Sequence, residues 1–163
     1  RYILAGDDQG RSGYVRELDA AIEKAGLTGI VTRVGHVTDM PAALAASAAL
    51  TVTSTEPEAF GRSAVEAQAM GTPVVVTDLG AVAETVLTPP RVTREQRTGW
   101  TIPPNDPEAL ATVLESILGM GAAARDALAE RARNHVEQAF GLEKMCGQTL
   151  EIYARLIEHA GRW

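Results

Sequence analysis

The chain has 163 residues, of which 45% are apolar and only 4% aromatic, so its core is aliphatic and large enough for one compact α/β domain. The formal net charge is -6 and no Lys/Arg cluster offsets it, which argues against nucleic acid and anionic membranes as partners. A lone cysteine, Cys146, excludes an internal disulfide, and no apolar run has the length of a membrane span.

Strand-like and helical patterns alternate along the first part of the chain. "YILAG" predicts a strand, and "YVRELDAAIEKAG" predicts a helix whose apolar stripe is Val15, Leu18 and Ile22 and which stops at Gly26. A strand at "IVTRV", a helix at "PAALAASA" with Pro41 in its first turn, and a strand at "ALTVTS" follow.

The second part of the chain becomes entirely helical towards its end. "TPVVVTD" predicts a strand buried on both faces, "GAVAETVL" a short helix, the polar segment 88–99 an exposed excursion, and "GWTIPP" an edge strand. Asp106 caps a predicted helix, and two more follow at about 122–138 and 142–159. The alternation predicts an α/β fold with a Rossmann-like parallel sheet flanked by helices, followed by a helical C-terminal extension.

The stretch "STEPEAFGRSAVEAQAMGTPVVV", which begins at Ser54, carries two carboxylates beside a predicted loop-to-helix junction. One interpretation is structural. Ser63 and Glu66 match a capping box, "TEPE" at 55–58 matches the same template, and Arg62 with Glu66 forms an i,i+4 pair.

The other interpretation takes Glu58 and Glu66 together with the residues between them. Backbone N–H groups at a helix start suit an anion, and Gly61 removes the obstructing Cβ. Carboxylates accept from hydroxyls, and eight residues would span about 12 Å if they were helical throughout. The pattern therefore fits a ligand with hydroxyls at both ends and an anion between them, such as a nucleotide-sugar. Both interpretations stay open on these residues alone.

Taken in order, the motifs resemble the C-terminal, donor-binding domain of glycosyltransferase family 4, the group 1 glycosyltransferases with the GT-B fold. They are "EAFGRSAVE" with "AQAMGTPVVVTDLGAVAE", flanked by "ILAGDDQGR", "VTRVGHVTDMP", "TSTEPE", "TGWTIPPNDPEALA" and "FGLEKMCGQTLEIYARLI". The resemblance covers nearly the whole chain. It implies that residues 1–163 are one half of a GT-B fold, with the first strand and helix and the acceptor-binding N-terminal domain lying before Arg1.

The resemblance also implies roles for individual residues. The first signature glutamate faces the donor sugar near the reacting carbon and corresponds to Glu58, and the second holds the ribose hydroxyls and corresponds to Glu66. Main-chain amides would lie beside the diphosphate and sugar at Phe60, Gly61 and Arg62. The base would be bordered, mainly by main-chain contacts, at Gly35, His36 and Val37.

Three features depart from or compete with the family pattern. Glu56 offers an alternative register for the first glutamate. Glu58, however, is separated from Glu66 by the seven residues that the family signature requires. Gly80-Ala81 stands where the family usually has Gly-Gly, which is expected to crowd the site slightly. The Arg and Lys that the family places on the diphosphate have no counterpart in the chain. We therefore expect the chain alone to bind a nucleotide diphosphate weakly and to transfer no sugar.

The implied activity of the intact protein is retaining transfer of a hexosyl group from a UDP- or GDP-sugar, with no metal and no cofactor. The acceptor would be held by the N-terminal domain, in bacterial polysaccharide or lipopolysaccharide biosynthesis. A cytoplasmic location is expected, with peripheral contact at the inner membrane left open. The alternatives are another GT-B enzyme, such as a nucleotide-sugar epimerase or a glycogen phosphorylase-like protein, and a non-catalytic nucleotide-binding Rossmann domain.

Other candidate residues are given structural roles. "GDDQGRSG" lacks the GxGxxG spacing of a dinucleotide site. Asp7 and Asp8 are interpreted as solvated carboxylates rather than metal ligands. Trp100 is expected to pack in the interior, and Cys146 is expected to be a buried small apolar residue.

Overall fold

The computed structural model describes residues 1–160. Within that range five strands and seven helices follow one another as β1 (Tyr2–Ala5), α1 (Ser12–Lys24), β2 (Val31–Gly35), α2 (Met40–Ala45), β3 (Leu50–Val52), α3 (Arg62–Ala69), β4 (Val74–Thr77), α4 (Val82–Thr85), β5 (Trp100–Ile102), α5 (Pro107–Leu118), α6 (Ala122–Phe140) and α7 (Leu142–Ala160). The strands form a two-stranded sheet, β1-β2, and a three-stranded sheet, β3-β4-β5. All strand pairs are parallel, which confirms the predicted α/β class.

The chain divides into two compact units, of which the smaller comprises Arg1–Ala43. In it, β1 pairs in parallel with β2 and α1 connects the two strands. A bidentate ion pair joins β2 to α1, because Arg33 Nε and Nη2 donate to the two carboxylate oxygens of Asp19 over 2.7 and 2.9 Å. These hydrogen bonds lower the pKa of Asp19 and raise the pKa of Arg33. Helix α1 ends as predicted, with Gly26 at a φ of 67°.

The larger unit begins at Leu44 and is built around β4. Val74, Val75 and Val76 are fully buried, as the continuous apolar run predicts, and β5 lies at the end of the strand order β3-β4-β5. The central cluster of buried side chains comprises Val75, Trp100, Ile102, Ile117 and Leu128. The core role predicted for Trp100 is thus confirmed, and the Arg97 guanidinium lies 4.2 Å from the centre of its ring.

The helical end of the chain follows its sequence signals closely. Helix α5 starts at Pro107, and the Asp106 carboxylate caps it by accepting from the Ala109 amide over 2.8 Å. Helices α6 and α7 run one or two residues beyond their predicted ends. Within residues 1–160, no helix combines the length and apolarity needed to cross a membrane.

One expectation for the periphery was wrong. Cys146 is exposed, because the middle of α7 is mostly uncovered and average burial preferences do not decide a single position on it. The excursion 88–99 is mostly exposed, as predicted, with Thr88, Val92 and Arg97 half-buried and Thr98 and Gly99 buried at its end. Thr98 anchors that end by donating its amide to the Leu87 carbonyl over 2.9 Å and by accepting the Leu87 amide on its hydroxyl over 3.0 Å.

Candidate functional site

The start of α3 is formed by the main chain of Gly61. This residue is the N-cap, in the left-handed conformation at φ 78° and ψ 51°, and no side chain among the described residues caps the helix. The capping box predicted from Ser63 and Glu66 is therefore wrong, because Ser63 already lies inside the helix. Thr55 starts no helix either, so the second template also fails.

The first turn of α3 offers unpaired main-chain donors. Within residues 1–160, the Gly61 carbonyl accepts from the amides of Ala64 and Val65, whereas the amides of Arg62 and Ser63 donate to no protein acceptor. An α-helix leaves its first N–H groups free, and its dipole places positive charge at the same end. The junction therefore has the geometry of an anion site, with a glycine where the main chain must be approached closely.

The main chain of Glu58 is tied to the loop that follows β4. The Ala81 amide donates to the Glu58 carbonyl over 2.8 Å, and Glu58 forms an isolated parallel bridge with Gly80. Gly80 has a φ of 68°. The family pattern has a second glycine at the position of Ala81. Alanine makes the same hydrogen bond there, because the donor is its main-chain amide.

The carboxylate of Glu58 is held by a neutral side chain. Ser54 Oγ donates to Glu58 Oε1 over 2.5 Å, and both residues are half-buried. Ser54 is itself fixed, because the Thr77 hydroxyl at the end of β4 donates to the Ser54 carbonyl over 2.7 Å. Glu58 thus stands beyond the carboxyl ends of β3 and β4, where open parallel sheets bind ligands.

Glu66 lies one turn into α3 on the partly exposed side of the helix. Arg62 Nη2 donates to Glu66 Oε1 over 3.1 Å, with side-chain exposures of 84% for Arg62 and 44% for Glu66. An exposed i,i+4 pair of this kind contributes roughly 0.3–0.5 kcal/mol, so either partner can exchange it for a ligand at little cost. Because the helix begins only at Arg62, the span of 12 Å expected for a fully helical segment does not apply.

Phe60 connects this site to the end of α6. Its ring meets Phe140 edge to face, with centroids 5.3 Å apart, while Phe140 makes the same kind of contact with His135 at 5.6 Å. Phe60 nevertheless remains 39% exposed. Its ring is supported from one side and open on the other, immediately before Gly61.

Buried polar atoms of two side chains, Gln68 of α3 and His135 of α6, lie in the interior of the larger unit. Gln68 Nε2 donates to the carbonyls of Thr85 and Ala64 over 2.9 and 3.2 Å, while Gln68 Oε1 and His135 Nε2 are buried without a partner among the described residues. Burial lowers the pKa of His135. A hydrogen bond with the Thr85 main chain raises this pKa, and the charge of Lys144 lowers it further, so that the net shift is downwards.

The predicted base-binding residues lie in the smaller unit. Gly35 ends β2 at a φ of 68°, His36 is exposed and Val37 is half-buried. The five other predicted site residues come together around the start of α3, in the larger unit: Glu58, Phe60, Gly61, Arg62 and Glu66.

Asp7 and Asp8 are exposed and accept the amides of Gln9 and Gly10. Within the described residues, no three His, Cys, Asp or Glu side chains form a possible metal set.

Sequence reasoning missed four residues that shape this site: Ser54, Thr77, Gly80 and Phe140. The contact of Gly80 with Glu58 has no signal in the sequence. Ser54 carries a faint signal, since serines often bond to side chains or main chain nearby, but nothing selects Glu58 as its partner.

Comparison with known families matches the sequence of this chain to one of them. The family described as "Glycosyl transferases group 1" matches residues 1–120. D-inositol 3-phosphate glycosyltransferase from Paenarthrobacter aurescens is 34% identical over 137 residues, which are 83% of this chain and 31% of that protein. The enzyme of the same name from Rhodococcus opacus is 33% identical over 157 residues, which are 94% of this chain and 33% of that protein. The chain thus spans about a third of the length of these relatives.

Solved structures give the same result for the fold. A glycosyltransferase from Rickettsia africae superposes with a TM-score of 0.84 at 30% identity, covering 96% of this chain and 40% of that one. Alr3699/HepE from Anabaena, solved in complex with UDP-glucose, gives a TM-score of 0.82 at 30% identity, covering 94% of this chain and 40% of that one.

Proposed function

Because the chain belongs to the group 1 glycosyl transferases, we propose that it binds the nucleotide-sugar donor of a retaining hexosyltransferase at the start of α3. The donor is a UDP- or GDP-hexose. UDP is favoured because the Anabaena relative was solved in complex with UDP and with UDP-glucose. The acceptor site is assigned to a part of the protein outside this chain, since the relatives are about three times longer.

The diphosphate is assigned to the main chain at the helix start. The unpaired amides of Arg62 and Ser63 supply donors, and the dipole of α3 supplies positive potential. Arg62 adds a mobile cation beside them, because its pairing with Glu66 is exposed and weak. These groups would stabilise the charge that develops on the departing nucleotide diphosphate, which is the main electrostatic demand of the reaction.

The two glutamates are assigned to hydroxyl groups on either side of the diphosphate. Glu58 Oε1 is engaged by Ser54, which leaves Oε2 to accept from a hydroxyl of the donor sugar. Glu66 similarly uses Oε1 for Arg62 and keeps Oε2 for the ribose. An ionised carboxylate is a strong acceptor and, beside the sugar, also favours positive charge at the anomeric carbon.

The proposed reaction proceeds on one face of the sugar. The bond between the anomeric carbon and the diphosphate oxygen breaks, and the acceptor hydroxyl oxygen forms its bond to the same carbon from the same side. The hydroxyl proton passes to the departing diphosphate oxygen. In this scheme Glu58 orients the sugar and supports its charge, and it forms no covalent bond.

One observation carries the proposal: within residues 1–160, a helix start with unpaired amides is flanked along the chain by two glutamates, each of which uses only one carboxylate oxygen. Calorimetric titration of the protein in its complete natural sequence with UDP, UMP and uridine tests it. We expect UDP to bind more tightly than UMP, and Glu66→Gln to weaken UDP binding about ten- to a hundredfold through the lost charged hydrogen bond. Equal affinities for UDP and UMP would contradict the diphosphate site.

Glu56 provides a matched control, because it is an exposed glutamate in the same loop. Glu56→Gln is expected to leave both UDP affinity and turnover unchanged, while Glu58→Gln lowers kcat and leaves UDP affinity nearly intact. If Glu56→Gln were the damaging change, the register of the signature would be shifted by two residues.

A further inference from the structure

We propose that Ser54 is a positioning residue that holds the Glu58 carboxylate in place for the donor sugar, and that Thr77 in turn fixes Ser54. The proposal rests on the function proposed for Glu58 above and assigns new roles to two residues outside the glutamate signature. Its basis is a chain of two short hydrogen bonds, from the Thr77 hydroxyl to the Ser54 carbonyl at 2.7 Å and from the Ser54 hydroxyl to Glu58 Oε1 at 2.5 Å.

Glu58 needs such support because of where it lies in the fold. It belongs to no helix or strand, and its contacts with Gly80 and Ala81 involve only the main chain. A glutamate side chain has three further torsions, which main-chain contacts leave free. The bond from Ser54 restricts them, and a carboxylate that is misplaced by about 1 Å loses much of its effect on a reacting group.

The neutral character of the donor matters as much as its position. Within the described residues, Glu58 forms no ion pair with any Lys, Arg or His side chain. A serine hydroxyl orients the carboxylate without cancelling its charge, whereas an arginine would neutralise it. The full negative charge therefore remains available to a sugar that becomes positively charged as the donor bond breaks.

Thr77 connects this support to the core of the larger unit. It is the last residue of β4 and is only 4% exposed, so its hydroxyl occupies a rigid position. Ser54 lies two residues beyond the end of β3, where the chain has left the sheet. The hydrogen bond from Thr77 thus fixes the main chain of Ser54 two residues beyond β3, and Ser54 carries the hydroxyl that bonds to Glu58.

The experiment uses the protein in its complete natural sequence, with steady-state turnover of the nucleotide-sugar and calorimetric UDP binding as separate readouts. Ser54→Ala is expected to lower kcat about ten- to a hundredfold with UDP affinity unchanged. Ser54→Thr, which keeps the hydroxyl, should recover most of that loss. In a Glu58→Gln background, Ser54→Ala should cause no further loss, because the two residues act as one unit.

Thr77→Val and Thr72→Val form a matched pair that separates positioning from stability. Both threonines are 4% exposed, and both donate to a main-chain carbonyl over 2.7 Å. Thr77, at the end of β4, donates to Ser54, and Thr72, two residues before β4 begins, donates to Leu44. We expect similar losses of thermal stability from the two variants and a fall in kcat from Thr77→Val alone. Equal effects on kcat would overturn the proposal.

The outcomes distinguish this inference from the function on which it rests. If Glu58→Gln leaves kcat intact, the proposed role of Glu58 fails and that of Ser54 with it. If Glu58→Gln lowers kcat while Ser54→Ala does not, only the positioning role is overturned. A multiplicative loss in the double variant would also overturn it, since Ser54 would then act independently of Glu58.

Discussion

Gly80 lies against the main chain of Glu58 so closely that a β-carbon at position 80 would meet the Glu58 carbonyl oxygen at 2.4 Å and the Glu58 nitrogen at 2.7 Å. The parallel bridge between these residues therefore requires a glycine on two counts, the contact itself and the positive φ. Through this contact, the loop after β4 determines where the main chain of the first signature glutamate lies.

Gly80→Ala is expected to reduce the free energy of unfolding by at least about 2 kcal/mol, because left-handed strain and a clash with main-chain atoms add together. Urea denaturation measures the change. Gly147→Ala is the matched control: Gly147 lies within α7 with nothing within 4 Å of an added β-carbon. That variant should be neutral or more stable by roughly 0.5–1 kcal/mol. Destabilisation by both variants would contradict the assigned contact.

Gly61→Ala should affect ligand binding more than folding. An added β-carbon would come no closer than 3.8 Å, to the Thr85 hydroxyl, so the cost to stability is left-handed strain alone, about 1–2 kcal/mol. The same β-carbon would stand at the helix start where the diphosphate is proposed to approach. UDP titration and thermal unfolding of one variant compare the two effects, and an unchanged UDP affinity would argue against main-chain recognition at this residue.

The ion pair between Arg33 and Asp19 predicts an unusually acidic carboxylate. Hydrogen bonds from Arg33 lower the pKa of Asp19, so its NMR titration should have a midpoint below the ordinary value of about 3.9. The pair stabilises the fold above the pKa of the unfolded chain, and this contribution disappears as pH falls through the folded-state pKa. Arg33→Gln should move the midpoint upwards, and no movement would show that the pair does not persist in solution.

His135 should make the protein less stable in mild acid. Burial lowers its pKa in the folded state, so the unfolded chain binds a proton more readily. The free energy of unfolding is therefore expected to decrease as pH falls below about 6.5, the ordinary histidine value, and to level off below the folded-state pKa. His135→Gln should remove this step, whereas His159→Gln, on the exposed end of α7, should retain it. A step that survives in His135→Gln belongs to another group.

Two adjacent apolar residues of α5 test the assigned core. Ile117 is fully buried in the cluster around Val75, whereas Leu118 is 65% exposed. Ile117→Ala should cost about 2–5 kcal/mol of unfolding free energy, from lost burial and the cavity left behind. Leu118→Ala should change it by less than about 0.5 kcal/mol. Similar losses from the two variants would mean that α5 is rotated from its assigned orientation.

Much of the fold follows from local signals in the sequence. The fully apolar run at 74–76 predicts a doubly buried strand, and Asp106 with Pro107 predicts the start of α5, because each signal depends on the chemistry of a few neighbouring residues. Cys146 shows the limit of such signals. Its burial depends on what covers α7, which neither its residue type nor its spacing reveals.

The sequence singles out the candidate residues, whose roles stay a prediction, but it does not reveal how the folded chain holds them in place. The signature glutamates and Gly61 are recognisable as a pattern, yet the same stretch also matched capping boxes that do not form. A four-residue template cannot decide between Gly61 and Ser63 as the helix start, since the choice depends on the loop held by Gly80 and Ala81. Contacts between residues distant in the chain, such as Thr77 with Ser54, require the folded sheet.

The edge-to-face contact between Phe60 and Phe140 bears on how this protein can be shortened or redesigned. A minimal version that stops before the last residue of α6 would still contain every residue of the glutamate signature, but the ring beside Gly61 would lose its backing. A version shortened for crystallisation or fusion should therefore retain residue 140. A design that transfers the glutamate signature to another protein should likewise include an aromatic ring in the place of Phe140.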